Sequence, residues 1–234
     1  VNRFTFNTGA TVMSKSILML VTSHNQISAG KATGIWFEEF AVPYDAFHAN
    51  GYSVTVASPL GGPAPIDPNS ADQVAAHPQA AAALQSTRPM TDIQPADYDA
   101  VVLPGGHGTM FDLPTAEVGR VVSAFAMQGR VIAAVCHGPA GLVEAVYPDG
   151  TPVVKGKRMT SFTDAEERAA NLDSVMPFLL ESRLRGLGAD FIPAPLWSDH
   201  VEVDGLLITG QNPASSGSLA QAVIRVLSGA VQPA

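Results

Sequence analysis

A chain of 234 residues that is 46% hydrophobic and 15% charged has the material for a full core and none of the bias of a disordered polymer. Its 21 acidic against 13 basic residues, a formal net charge of -8, argue against nucleic acid or an anionic membrane surface as partner and leave small molecules or other proteins. A single cysteine excludes an internal disulfide and suits a reducing, cytoplasmic setting, and no apolar run approaches the ~20 residues of a membrane-spanning helix.

Residues 1–12 carry no hydrophobic period and are expected to be an N-terminal extension, disordered or upstream of a true start at Met13; residues 13–234 are expected to form one α/β domain. The first strand is expected over 16–21, followed by a loop through Asn25 and Gly30 and a helix over 35–50 closed by Gly51. Pro43 inside that helix removes a donor from its hydrogen-bond ladder, a defect that points to a nearby functional constraint. A second strand falls at 52–58, a long loop with Gly61-Gly62-Pro63 and Asp67-Pro68 at 59–70, and a short helical excursion over an active-site edge at 71–84. The third strand, 98–103, runs into Pro104-Gly105-Gly106-His107-Gly108, and a helix is expected over 117–128. Beyond 131–135 and its following helix come a strand at 158–161, a helix at 173–186 and a strand at 190–193. Segments 200–203 and 206–209, joined by Asp204-Gly205, read as a hairpin, and Asn212-Pro213 opens a last helix over 214–227. Strands alternating with helices at this spacing define a mostly parallel sheet covered on both faces.

The segment 131–135 is a buried-strand pattern that stops at Cys136 and turns at Gly138-Pro139. A strand-turn-helix junction pushes its middle side chain above the carboxyl edge of the sheet, and a helix N-terminus there lowers the pKa of a thiol. Free cysteines are most often small buried hydrophobes, but such a role needs neither the histidine nor the glycine that follow. Addition of the thiolate to a carbonyl creates an oxyanion, for which Gly105-Gly106 can supply one amide and His137 another. His137 serves as a base if the turn folds it back toward the thiol; otherwise it fills a surface turn. Asp164, Glu166 and Glu167, read as lying on a loop, offer acids to orient an imidazole. Glu38 and Glu39 stand on the first helix, where a carboxyl pressed against the thiol in a dry pocket would keep its proton and shuttle it. Residue pattern alone does not choose between such a role and a solvated helix face. His24, His48 and His77 read as surface residues, no metal-ligand spacing occurs, and of the two tryptophans Trp197, on a loop after Pro195-Leu196, is the better pocket residue than Trp36.

In order, TGIWFEEFAVPYDAF (33–47), ASPLGGPAPIDPNS (57–70), LPGGHGTMFDLP (103–114), AAVCHGPAGL (133–142), TSFTDAEE (160–167) and TGQNPASS (209–216) resemble the ThiJ/PfpI superfamily over nearly the whole chain from Ser16. The likeness is closest to its glutathione-independent glyoxalase (glyoxalase III) and stress-chaperone branch, and the fold it implies is a flavodoxin-like three-layer sandwich similar to class I glutamine amidotransferases. The resemblance implies Cys136 as nucleophile, His137 and then Glu167 behind it with Glu166 as second choice, Glu39 rather than Glu38 against the sulfur, and His107 near the pocket rim. Gly105, Gly106 and Trp197, read from the residues themselves, complete the expected oxyanion and substrate contacts. The implied reaction converts methylglyoxal and related 2-oxoaldehydes to 2-hydroxy acids without glutathione, cofactor or metal, in a cytoplasmic homodimer. Rival readings are a stress holdase, a protein or nucleotide deglycase, and a cysteine hydrolase or amidotransferase; for the last, His200-Val201-Glu202 offers a superficial His-x-Glu pair inside the expected hairpin.

Overall fold

The protein is described by a computed structural model over residues 14–27 and 30–230; the extension expected at 1–12 lies outside the described residues. In chain order the elements are β1 (Ser16–Leu20), the short β2 (Gln26–Ile27) and β3 (Lys31–Ala32), α1 (Phe37–Ala49), β4 (Ser53–Ser58), α2 (Pro78–Ala83), β5 (Arg88–Pro89), β6 (Ala100–Leu103), α3 (Thr109–Asp112), α4 (Ala116–Met127), β7 (Val131–Val135), β8 (Arg158–Met159), α5 (Asp164–Ala169), α6 (Leu180–Gly186), β9 (Asp190–Phe191), β10 (Val201–Asp204), β11 (Leu207–Gly210) and α7 (Ser216–Leu227). Seven of the strands form one sheet in the order β10-β11-β7-β6-β1-β4-β5. Only the edge strand β10 runs antiparallel in it.

Side-chain parity explains why the sheet is buried on both faces. Ile17, Met19 and Val21 point into a core that Phe37, Phe40 and Phe47 of α1 and Leu219 and Val223 of α7 complete, whereas Leu18 and Leu20 point into the opposite core, filled by Val118, Val122 and Phe125 of α4. The neighbours repeat the rule: Ala100 and Val102 against Val101 and Leu103, Val131, Ala133 and Val135 against Ile132 and Ala134. Each such Leu, Ile or Val contributes about 1.5–3 kcal/mol through removal from water. The result is the expected flavodoxin-like sandwich of three layers. The parallel strands β1, β6, β7 and β11 end at one edge, where their following loops converge.

Several expected elements take a different form. The turn after Cys136 is a short 3-10 segment, Gly138–Leu142, rather than an α-helix. The acids expected on a loop at 164–167 open α5, whose start is fixed by a capping box between Thr163 and Glu166. The helix expected from 173 begins only at Leu180, because Pro177 lacks an N–H and disfavours a helical Met176. β8 and β9 pair with each other in a separate ribbon. In the hairpin Asp204 pairs with Leu207, so the turn residues are Gly205 and Leu206. α1 runs through Pro43 unbroken, with the carbonyl of Glu39 left without its ladder donor. The Phe37 amide, orphaned at the start of that helix, donates to Ser70 Oγ at 2.9 Å.

Candidate active site

Cys136 leaves β7 at φ 58°, a left-handed conformation rare for a residue with a side chain. Both sides of its peptide are tied down: its N–H donates to Gly210 O at 3.0 Å and its C=O accepts from Phe162 N–H at 2.9 Å. Such strain, of order 1–3 kcal/mol, persists only where the surroundings over-determine it. They do so here through Gly138, since a Cβ at that position would lie 1.9 Å from Leu103 O. Cys136 is 4% exposed at the floor of a cavity. Contrary to the lowering expected from a helix N-terminus, burial and then the neighbouring Glu39 push the thiol pKa well up; the amides of Gly106 and His137 oppose the shift.

His137 is fully buried and the turn folds it back over the thiol. Cys136 S–H donates to His137 Nδ1 at 3.2 Å, and His137 Nε2–H donates to Glu167 Oε2 at 2.7 Å. The other oxygen of Glu167, Oε1, accepts from His107 Nε2–H at 3.0 Å. Burial alone would raise the Glu167 pKa, but hydrogen bonds from His107 and His137 override it and hold the carboxyl at about 2. Burial and then His107 lower the His137 pKa against the pull of Glu167, so at neutral pH the ring is neutral, with its proton on Nε2 and an open lone pair at Nδ1 facing the sulfur.

Glu39, in the first turn of α1, reaches the thiol from the opposite side. Its Oε2 accepts from Gly105 N–H at 2.8 Å, Oε1 has no hydrogen-bond partner of ordinary geometry, and the carboxyl interacts with the Cys136 thiol. Burial raises its pKa to about 8, outweighing the proximity of the Cys136 thiol and the bond from Gly105, which lower it. A protonated Glu39 removes the coulombic part of the penalty on the thiolate. Glu38, its neighbour, is half-buried and does not line the cavity. Gly105 must be reassigned: its amide is consumed by Glu39, leaving the Gly106 and His137 amides as those directed at the sulfur. Gly106 sits at φ 100° with Gly34 O and Trp36 N each 2.4 Å from where a Cβ would be, so only glycine brings its amide there.

The cavity above the thiol has a volume of about 350 Å³. Gly106, His107, Cys136, His137 and Trp197 line it, while Glu39 and Glu167 stand behind them. Trp36, ranked below Trp197 on sequence, lines it too, as do Phe162 and Asp67, which the sequence reading did not single out. The signal for Phe162 was its place between a strand and the Thr163-x-x-Glu166 capping box. Glu166 contacts neither histidine; its carboxylate is spent on Thr163, Trp197, Gln211 and Asn212. His200 and Glu202 lie 3.4 Å apart on the far edge of the sheet, Glu202 also holding Arg158 at 2.9 Å, and neither lines the cavity. His24 stacks on Phe111 and His77 bonds Asp45, both away from the thiol. His107, His137 and Glu167 offer ligand atoms within 4.8 Å of one another, yet the two ring nitrogens already donate to that one carboxylate. Among the described residues no helix is long and apolar enough to cross a membrane.

A parallel α/β sheet that presents a strained cysteine at its carboxyl edge, with a histidine–carboxylate pair on one side and a buried glutamic acid on the other, defines a class of cysteine-elbow α/β proteins. The chain belongs to the DJ-1/PfpI family, whose model matches residues 32–226. It is 31% identical over 227 residues to "Glyoxalase 3" of Candida albicans, covering 89% of this chain and 96% of that one. It is likewise 31% identical over 232 residues to "Glutathione-independent glyoxalase HSP31" of Saccharomyces cerevisiae, covering 88% of this chain and 95% of that one. The crystal structure of glyoxalase III from Candida albicans superposes with a TM-score of 0.82 at 30% identity, over 90% of this chain and 96% of that one.

Proposed function

We propose that the protein is a glutathione-independent glyoxalase that converts 2-oxoaldehydes such as methylglyoxal to 2-hydroxy acids on Cys136, as a cytoplasmic homodimer. The observation that carries this reading is the placement of two opposed groups beside one thiol: the fully buried Glu39 carboxyl, whose pKa burial raises to about 8, and His137 Nδ1, 3.2 Å from the sulfur, whose pKa burial lowers. The isomerisation of a 2-oxoaldehyde needs an acid and a base at once, and the named relatives support that chemistry.

In the proposed cycle Cys136 Sγ bonds to C1 of R–CO–CHO as its proton passes to His137 Nδ1, with the imidazolium held by Glu167. The alkoxide is stabilised by the amides of Gly106 and His137 and takes that proton back, giving the hemithioacetal. Neutral His137 next removes the C1 hydrogen as a proton while Glu39 protonates the C2 oxygen, making an enediol. The imidazolium then delivers its proton to C2 and the O1 proton returns to Glu39, leaving the thioester R–CHOH–CO–S. Water, deprotonated by His137, releases R–CHOH–COOH and restores the thiol. Methylglyoxal incubated without glutathione should yield lactate with the wild-type protein and none with Cys136→Ala; a wild type that makes no lactate would end the proposal.

A further inference from the structure

Glu166 is fully buried next to the relay residue Glu167, yet it takes no part in the cycle above. Its Oε2 accepts from the N–H and hydroxyl of Thr163, each at 3.0 Å, which fixes the start of α5. Its Oε1 accepts from Trp197 N–H at 2.9 Å, Gln211 Nε2–H at 3.0 Å and Asn212 Nδ2–H at 2.9 Å. The two amides hold the same loop independently: Gln211 exchanges bonds with Ala194, and Asn212 donates to Ser198 O at 2.9 Å. All of this converges on a residue in an unusual backbone state, since Trp197 lies at φ 62° with a ring half exposed over the cavity mouth. A bulky side chain held in the left-handed region by a buried carboxylate is strain maintained for a reason.

The held ring completes a wall. His137 packs tilted at 35° against Phe162 with centroids 4.4 Å apart, and Phe162 meets Trp197 at 5.6 Å, so aromatic rings run from the thiol to the mouth, with Trp36 also lining the space. At ~30 Å³ per water-sized occupant, a cavity of about 350 Å³ holds roughly ten, well beyond a three-carbon aldehyde. We propose that the site selects 2-oxoaldehydes whose substituent is a flat apolar group larger than a methyl, and that Glu166 is the positioning residue that sets this selectivity by fixing Trp197. The inference rests on the glyoxalase reading and adds the substrate class to it.

The experiment compares phenylglyoxal with methylglyoxal, following the hydroxy acid formed by wild type, Glu166→Ala, Glu166→Gln and Trp197→Ala. Wild type should prefer phenylglyoxal about ten-fold in kcat/KM, through KM, the size of effect expected of added aromatic contact. Trp197→Ala should abolish the preference. Glu166→Ala should raise the KM for phenylglyoxal by a similar factor with a smaller effect on kcat, Glu166→Gln should restore part of it through its remaining oxygen, and acrylamide should quench Trp197 fluorescence more strongly in Glu166→Ala, read in a Trp36→Phe background. Equal kcat/KM for both aldehydes in the wild type would overturn the selectivity while leaving the glyoxalase intact; hydroxy acid from neither would end both. A fall in kcat alike for both substrates, with KM and quenching unmoved, would reduce Glu166 to a structural role. Should Glu166→Ala fail to fold, Trp197→Ala carries the test, because its ring is half exposed.

Discussion

At the scale of single residues, the chemistry depends on where two protons sit. The pKa of Glu39 is raised to about 8 by burial, and that of His137 is lowered below the ordinary imidazole value by burial and His107. Under the proposed cycle kcat/KM should therefore be bell-shaped, rising as His137 loses its proton on the acid side and falling as Glu39 loses its own near pH 8; because the groups share one thiol, the two limbs belong to the ensemble. Glu39→Gln keeps the shape and the acceptor for Gly105 N–H but has no proton to give, so turnover should drop about 100-fold or more. Retention of full activity by that variant would remove Glu39 from the mechanism. The sequence singled out Cys136 and His137 from a local strand-turn motif, whereas Glu39 over Glu38 and Glu167 over Glu166 were singled out only by the family resemblance. It misjudged the thiol, expecting a lowered pKa, since burial and the facing carboxyl depend on packing between α1 and β7 that no local pattern records.

At the scale of elements, α5 carries both a relay carboxylate and a wall-holding one in its first turn, so its N-terminus is the piece on which the site's order depends. Thr163→Ala removes the hydroxyl that accepts from Glu166 N–H and donates to Glu166 Oε2, leaving only the return bond from Thr163 N–H to Glu166 Oε2; it should cost about 1 kcal/mol in urea unfolding, within the range for lost N-caps. No change in the unfolding midpoint would show that tertiary packing alone fixes the helix start. This helix was legible: threonine followed three residues later by glutamate is a start signal, passed over because the acids were read as a loop. The strands β1, β4, β6 and β7 were read from β-branched runs, and the hairpin β10–β11 from its Asp-Gly pair with the turn one residue early. The 3-10 turn after Cys136 was not readable, since it is imposed by the fit of Gly138 against Leu103 O.

At the scale of the whole molecule, two carboxyls make opposed demands on stability. Glu39 has a folded pKa of about 8 against an ordinary 4.5, so the unfolded chain releases this proton first; its favourable contribution is complete below pH 4.5 and declines until pH 8, by about 5 kcal/mol. Glu167, held at about 2, contributes stability that is present above pH 4.5 and lost as pH falls toward 2. Denaturant unfolding should thus show stability falling from pH 5 to pH 8 in the wild type and a flatter profile in Glu39→Gln, which should be the more stable protein at pH 8; parallel profiles for the two would contradict a buried, protonated Glu39. The layered architecture was readable because parity sorts Ile17 and Met19 from Leu18 and Leu20, but the cavity was not, because Phe162, Asp67 and Trp36 meet there only through loops far apart in the chain. Glu166 and Glu167 are consecutive in the chain yet face different neighbourhoods, one turned to the loop of Trp197 and the other to the two histidines. A lineage drifting toward another aldehyde thus cannot shift or rewind this single turn of helix freely, and novelty in its diet should arise first among residues that face the mouth from elsewhere, such as Trp36 and Ile27.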